Sequence, residues 1–328
     1  MTHPIDLVKI GMKRYFNCFL ALSLVCFVAI AHAQDTKPIR IIVPFAPGGS
    51  NDIVGRTMAQ QLSVRLKRNV IVENRAGGGG SVGSELAARA EADGSTLLLI
   101  SSTFAMNPSI MKLSYDPVKS FTPVAMLGMG PSVIAVPTSL PVNTVKELVD
   151  YSKKNPGRVN IGTAGVGSFQ HFAIELFKTR SGADLTVVHY KGGSPALTDL
   201  AAGHIQVSLG SLIQIQPFLK SGRIKLLGIA GPSRAAMVPT VPTLKEEGID
   251  VDASNWWALL APTGTPSAFV ELLHREANAV LADAEMKKRF TNEGAEAMPM
   301  TRAEFEKFLV SETAKWARLA KETGIKAE

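Results

Sequence analysis

The side chains of this chain that could do chemistry sit at glycine-rich turns. "GGSVG", Gly79 to Gly83, matches the glycine-flanked serine of a hydrolase elbow, in which a strand runs straight into a strained nucleophile. Ser81, however, follows four glycines after "ENRA", a segment too loose to hold a strained serine. His171, His189 and His204 are scattered without metal-ligand spacing. Gly162, Gly165 and Gly167 have the wrong intervals for a dinucleotide loop, and there is no phosphate-binding G-x-x-x-x-G-K-[ST]. The residues therefore argue against an enzyme, with a serine esterase using Ser81 as a remote alternative. They call for neither a metal nor a cofactor.

Binding is the stronger reading. "IRIIVPFAPGGSND", residues 39 to 52, runs a β-like stretch into a proline-bounded glycine turn and then a helix start, with Ser50 expected as N-cap and Asp52 in the first helical turn. Such a turn points unpaired backbone N–H groups and the positive end of a helix into the space beyond the strand, which suits an anion. "VNIGTAGVGSFQHF", residues 159 to 172, repeats the design with Ser168 as cap. Two such turns, one in each half of an α/β protein, read as a clamp. "SSTF", from Ser101, offers further hydroxyls after a strand, and "YKGG" places Lys191 and Gly192 at another strand exit. Phe45, Phe169 and Trp256 are candidates for apolar walls.

The elements that must position these turns are legible as alternation. "IRIIV", "VIVEN", "TLLLIS", "VIAVP", "VNIGT", "LTVVHY", "HIQVSLGS" and "IKLLGIA" are separated by helix-period segments, which predicts an α/β fold with parallel sheets covered by helices on both faces. From Thr265 the pattern turns helical, with Thr265 expected as an N-cap before Pro266 and "TRAE" at Thr301 to Glu304 as a capping box. With 328 residues and 46% hydrophobic content, the chain is long enough for two lobes. "MLGMGPSVIAVP" and "WWALLAPTGTP" are the candidate crossings between them.

The first 33 residues read as a secretory signal. Lys13 and Arg14 precede the apolar run "YFNCFLALSLVCFVAI", which ends in "AHA", so cleavage is expected after Ala33; "MKRYF" makes Met12 an alternative start to Met1. Both cysteines, Cys18 and Cys26, fall in this segment, which leaves the exported chain without disulfides or thiol chemistry. Without Lys9, Lys13, Arg14 and Asp6 the charge balance is 32 minus 27, or +5, with no basic cluster suited to nucleic acid. No later stretch is apolar enough to span a membrane.

Taken in order, "PIRIIVPFAPGGSNDIVGRTMAQQLS", "VIVENRAGGGGSVGSELAARAEADGSTLLL", "NIGTAGVGSFQH", "VVHYKGGSPALTDLAAG", "VPTLKEEG" and "WWALLAPTGTP" resemble the extracytoplasmic solute-binding proteins of tripartite tricarboxylate transporters, the Bug family, over nearly the whole chain after the signal. The resemblance implies a periplasmic, two-lobed Venus-flytrap protein, expected to be monomeric. Lobe 1 would be built from residues 34–131 and 258–328, and lobe 2 from 132–257. A small organic carboxylate would be held between the lobes and passed to membrane transporter subunits. A sensor presenting its closed form to a signalling receptor would share all of these features.

Carried over by position, the first ligand loop falls on Phe45 to Asp52, including Ala46, Gly48, Gly49 and Ser50, and the second on Thr163, Ala164, Gly165 and Ser168; Ser101, Thr103 and Gly192 complete the expected ligand set. Neither loop has a lysine or arginine, so backbone N–H groups, hydroxyls and water would bind the carboxylate. In one place the chain departs from the family. Where a glycine is commonly followed by aspartates three and seven residues on, "GHIQVSLGSL" has Gln206 and Gly210. That loss predicts a ligand without an amino group and a roomier pocket floor.

Overall fold

The structure, a computed structural model, describes residues 37–325; the expected signal segment with its two cysteines lies outside the described residues. The chain begins with β1 (Ile39–Val43), α1 (Ser50–Leu66), β2 (Val70–Asn74), α2 (Ser81–Ala88), β3 (Thr96–Ser101) and the short α3 (Ser102–Met106). A long β4 (Phe121–Pro137) follows, then α4 (Val145–Lys154), β5 (Asn160–Thr163), α5 (Phe169–Ser181), β6 (Thr186–His189), α6 (Gly193–Ala202), β7 (Val207–Ser211), α7 (Leu212–Lys220) and β8 (Ile224–Ala230). The last part is β9 (Ser254–Pro262), α8 (Ser267–Ala282), α9 (Ala284–Asn292), β10 (Glu296–Ala297) and α10 (Arg302–Thr323).

These strands make two sheets that share β4. In the first lobe β1 is flanked by β2 and β3 in parallel, and β9 inserts antiparallel between β3 and β4. In the second lobe β5 is flanked by β6 and β7 in parallel, while β4 runs antiparallel to both β7 and β8. The expected parallel sheets are thus mixed. The parallel strands are those joined through helices, and the antiparallel ones are those that carry the chain between lobes.

β4 is one 17-residue strand, although prolines and glycines interrupt its sequence. Its pairing with β9 slips between Pro123 and Ala125 and between Met126 and Gly128, and such irregularities let a strand accept a proline. Gly128 and Gly130 have a packing role: a Cβ on them would lie 2.6 Å from the Glu296 carbonyl and 2.8 Å from that of Gly294. The return crossing occupies residues 231–253, ahead of β9, so "WWALLAP" belongs to the first sheet and pairs through Trp257 with Ser101 and Gly128.

α10 ties the two lobes together behind the cleft. Its capping box forms as the sequence predicts, with Thr301 Oγ1 accepting from the Glu304 N–H and the Glu304 carboxylate accepting from the Thr301 N–H. The Trp316 ring meets Phe169 and Phe172 of α5, each with centroids 6.0 Å away and at steep angles. Glu312 Oε2 accepts 2.8 Å hydrogen bonds from the indoles of both Trp256 and Trp316. Trp256 is fully buried here, so it belongs to the core and not to a pocket wall. At about 25 cal/mol per Å² over the roughly 150–250 Å² of one aromatic side chain, burying Trp316 favours this docking by about 4–6 kcal/mol before entropy is counted.

Candidate functional site

In each lobe the loops at the carboxyl ends of the parallel strands face the opposite lobe, the position at which open α/β sheets bind ligands. The loop after β1 is held by Asp52. Its Oδ2 accepts from the Gly48 N–H and from Arg56 Nε, both at 2.9 Å, and its Oδ1 accepts from Asn74 Nδ2 at 2.9 Å. The same Asn74 amide reaches the Phe45 carbonyl at 3.1 Å. Burial pushes the Asp52 carboxyl up, but the donors from Arg56, Gly48 and Asn74 outweigh it and hold the pKa below the usual carboxylate range. Gly48 takes a left-handed φ of 77°, which an L residue adopts only with strain. The cap position of α1 is Gly49 and not Ser50, with no side-chain cap bond; Asp52 in the first turn instead reaches back to the Gly48 N–H ahead of the cap.

The loop after β5 is built differently. Thr163 Oγ1 accepts from the Gly165 N–H at 3.0 Å and lies 2.8 Å from His189 Nδ1. Ser168 caps α5 as expected, its Oγ accepting from the His171 N–H at 3.2 Å. The lobes meet here, since the Phe169 N–H donates to Thr103 Oγ1 at 2.9 Å. Asn255 bridges them again, accepting from the Ser102 N–H and donating to Ser211 Oγ. At the cap of α8, Thr265 instead turns its hydroxyl back to the Pro262 carbonyl, and the helix starts at Ser267 after Pro266.

Between the lobes lies a narrow, half-open cleft of about 30 Å³. It is lined by Gly49, Ser50 and Asn51 from the start of α1, Ser168, Phe169 and Gln170 from α5, Gly193 from α6, and Ser211 and Gln214 from α7, with Phe45, Thr103, Ala164 and Asn255 completing the wall. Among the described residues, four helices of eight or more residues therefore begin at one cavity, and no lysine, arginine, aspartate or glutamate lines it. Asn51 Nδ2, Gln170 Oε1 and Gln214 Nε2 are buried there without hydrogen-bond partners. The arrangement presents positive helix ends and neutral amides to whatever enters, and that combination suits an anion.

Of the expected ligand residues, Phe45, Gly49, Ser50, Thr103, Ala164 and Ser168 line this cleft. Gly165 lines an outer, half-open chamber of about 270 Å³ formed by the Gly77–Gly80 turn and residues 189–191. Ser101 faces a small side cavity behind Phe45. The remainder serve construction: the Asp52 and Thr163 side chains hold their own loops, while Gly48 and Gly192 allow Ser194 and Ala46 to approach from the opposite lobe. Asn51, Gln170, Gly193, Ser211, Gln214 and Asn255 line the cleft without having been singled out in the sequence. Gly210 does adjoin the floor, but the expected extra room is taken: a Cβ there would lie 2.8 Å from Gln170 Nε2. Gln206 sits at the far end of its strand, accepting from the Asn160 N–H.

Ser81 opens α2 after a turn of glycines with positive φ, and no strand leads into it. Among the described residues no group of three or more His, Cys, Asp or Glu is placed to hold a metal, and no helix is long and apolar enough to cross a membrane.

Comparison with known proteins agrees with this geometry. Residues 54–325 match the model of the tripartite tricarboxylate transporter family receptor, TctC. Protein BugT of Bordetella pertussis is 34% identical over 312 residues, covering 94% of this chain and 96% of its own. The solved periplasmic binding protein BugD superposes with a TM-score of 0.85 at 30% identity, covering 89% of this chain and 99% of its own. An R. palustris protein solved with adipate gives a TM-score of 0.85 at 30% identity, covering 88% of this chain and 98% of its own. The family is one of periplasmic solute receptors and not of enzymes. With more than half its length matched by that family's model, and the two-lobed fold in common, this chain belongs to the TctC receptor family.

Proposed function

We propose that the protein is exported, with its signal cleaved after Ala33, and captures a small organic carboxylate between its lobes for delivery to a tripartite tricarboxylate-type membrane transporter, acting as a monomer. The observation that carries this reading is the convergence of the starts of α1, α5, α6 and α7 on a cavity without charged side chains. Each helix end contributes roughly 0.3–1 kcal/mol toward an anion, so four supply about 1–4 kcal/mol without an ion pair. The ligand residues are Phe45, Gly49, Ser50, Thr103, Ala164 and Ser168, joined by Asn51, Gln170 and Gln214. Ala46, Gly48, Asp52, Ser101, Thr163, Gly165 and Gly192 shape the loops around them. Adipate in a relative of the same fold supports the carboxylate class.

Binding works by population shift: the ligand touches both lobes only when they are together, so it favours the closed form, and the lobes swing about β4 and the 231–253 crossing. A thermal-shift screen of carboxylates tests the ligand class. At about 100 times its dissociation constant a ligand adds roughly 2.7 kcal/mol of stability, and hits confined to esters or nucleotides would end this reading. Small-angle scattering with and without a hit tests the motion, which predicts a smaller radius of gyration with ligand.

A further inference from the structure

The floor of the cleft contains a polar pair that an anion alone leaves unused. Gln170 is the second residue of α5 and Gln214 the third of α7, and they are only 7% and 3% exposed. Their carboxamides close on one point: a Cβ placed on Gly193 would lie 2.4 Å from Gln214 Nε2, 2.7 Å from Gln214 Oε1 and 3.0 Å from Gln170 Nε2. Gly193 thus cedes its Cβ position to the two carboxamides at the edge of the cleft, and Gly210 below allows Gln170 to lie against β7. Gln170 Oε1 and Gln214 Nε2 nevertheless have no partner among the described residues. A buried acceptor and a buried donor beside an empty space call for a ligand group that both donates and accepts.

We propose that Gln170 and Gln214 are specificity-determining residues that read a hydroxyl on the carbon skeleton of the ligand, so that the cleft takes a hydroxycarboxylate in preference to its deoxy or amino counterpart. The inference rests on the reading of the cleft as a carboxylate site. A hydroxyl donates to Gln170 Oε1 and accepts from Gln214 Nε2. Because every carboxamide has one donor edge and one acceptor edge, the match survives if both are turned over. An ammonium would satisfy only the acceptor, and it would do so among four positive helix ends with no carboxylate facing the cavity. A methylene at the same point would leave both amides unpaired.

Titration calorimetry on the signal-free chain tests this with three sets of probes: propanoate, succinate and phenylacetate, each beside its 2-hydroxy and 2-amino derivative. In at least one set the hydroxy compound should bind about tenfold or more tightly than the deoxy compound, with the amino compound weakest. Gln214→Leu and Gln170→Met should each reduce that preference to about threefold or less, and either variant suffices if the other fails to fold. Deoxy or amino compounds binding as tightly as the hydroxy compound in every set would overturn the role of the glutamines while leaving the carboxylate site standing. If no member of any set binds, the carboxylate reading falls and the inference falls with it.

Discussion

The two lobes touch through the glycine turn ahead of α2, and this contact predicts a variant that disturbs closure beyond its cost to the fold. A Cβ on Gly79 would lie 2.4 Å from the Val166 carbonyl oxygen and 3.1 Å from the Gly167 carbonyl carbon, both backbone atoms of the opposite lobe. Gly78, next to it, would place its Cβ 2.4 Å from Ser81 Oγ, the rotatable tip of a side chain in its own loop. Both glycines have left-handed backbones, with φ of 57° and 53°, so alanine at either site costs roughly 1–2 kcal/mol of fold stability. Only Gly79→Ala adds a clash across the cleft. Overpacking of that kind costs about 1–3 kcal/mol and is relieved when the lobes part, so it weakens ligand binding by about 5- to 150-fold. The assay is calorimetry with any hit from the carboxylate screen, alongside melting of the ligand-free variants. Equal losses in melting temperature with a weaker affinity only in Gly79→Ala is the expected result. Affinities within twofold of each other for the two variants would refute the claim that these loops are pressed together when ligand is bound.

Three further predictions concern the parts that hold the site. Asp52 has its carboxyl pKa lowered in the fold, so its stabilising contribution is present above the unfolded value near pH 4 and is lost as the pH falls through the lower folded value. Melting curves of the wild type and Asp52→Asn should therefore differ most near neutral pH and converge in acid; a constant gap would argue against this role. Ser168→Ala removes the cap of α5 and should cost about 0.5–2 kcal/mol in denaturant unfolding, with a further loss of ligand affinity because Ser168 also lines the cleft. Glu312→Leu strands two buried indole donors at about 1–3 kcal/mol each, and a shift in the unfolding midpoint of less than about 1 kcal/mol would show that the tryptophans find other partners.

The fold was legible wherever local chemistry agrees with the global arrangement. "IRIIV" became β1 with Ile39, Ile41 and Val43 fully buried, and the Thr301 capping box formed as written. The mixed sheets could not be read, because strand direction in β4 and β9 follows from the chain's passage between lobes and leaves no mark in periodicity. α7 was hidden for a different reason. "LIQIQPFLK" alternates apolar and polar residues as a strand does and contains Pro217, yet it is a helix, and Ser211 before it is a cap. Missing α7 also concealed Gln214. Gln170 went unremarked since a glutamine after a serine cap is ordinary helix chemistry; only the approach of Gly193 and Gly210 from other elements gives its carboxamide a place in the cleft. The Asp52 carboxylate illustrates the opposite case, a residue whose type promised ligand contact but whose neighbours Arg56, Gly48 and Asn74 claim it.

On the function proposed above, an anion bound without cations would give a tighter link between binding and closure. A lysine or arginine on a flexible stem can follow its ligand across several ångströms, so it would hold a carboxylate even with the lobes apart. Helix ends cannot follow, because α1 is fixed to the first lobe while α5, α6 and α7 are fixed to the second. The field of each falls off within about one helical turn, so a ligand seated on one lobe experiences only part of the attraction until the other arrives. On that reading, the differential affinity between open and closed forms, which alone can shift their populations, would be carried by the geometry of the backbone. Backbone also takes part in the contacts between the lobes: the Phe169 N–H donates to the Thr103 hydroxyl, and the bare Cα of Gly79 lies against the Val166 carbonyl. A residue larger than glycine at Gly79 acts on the same equilibrium as the ligand, but from the opposite side.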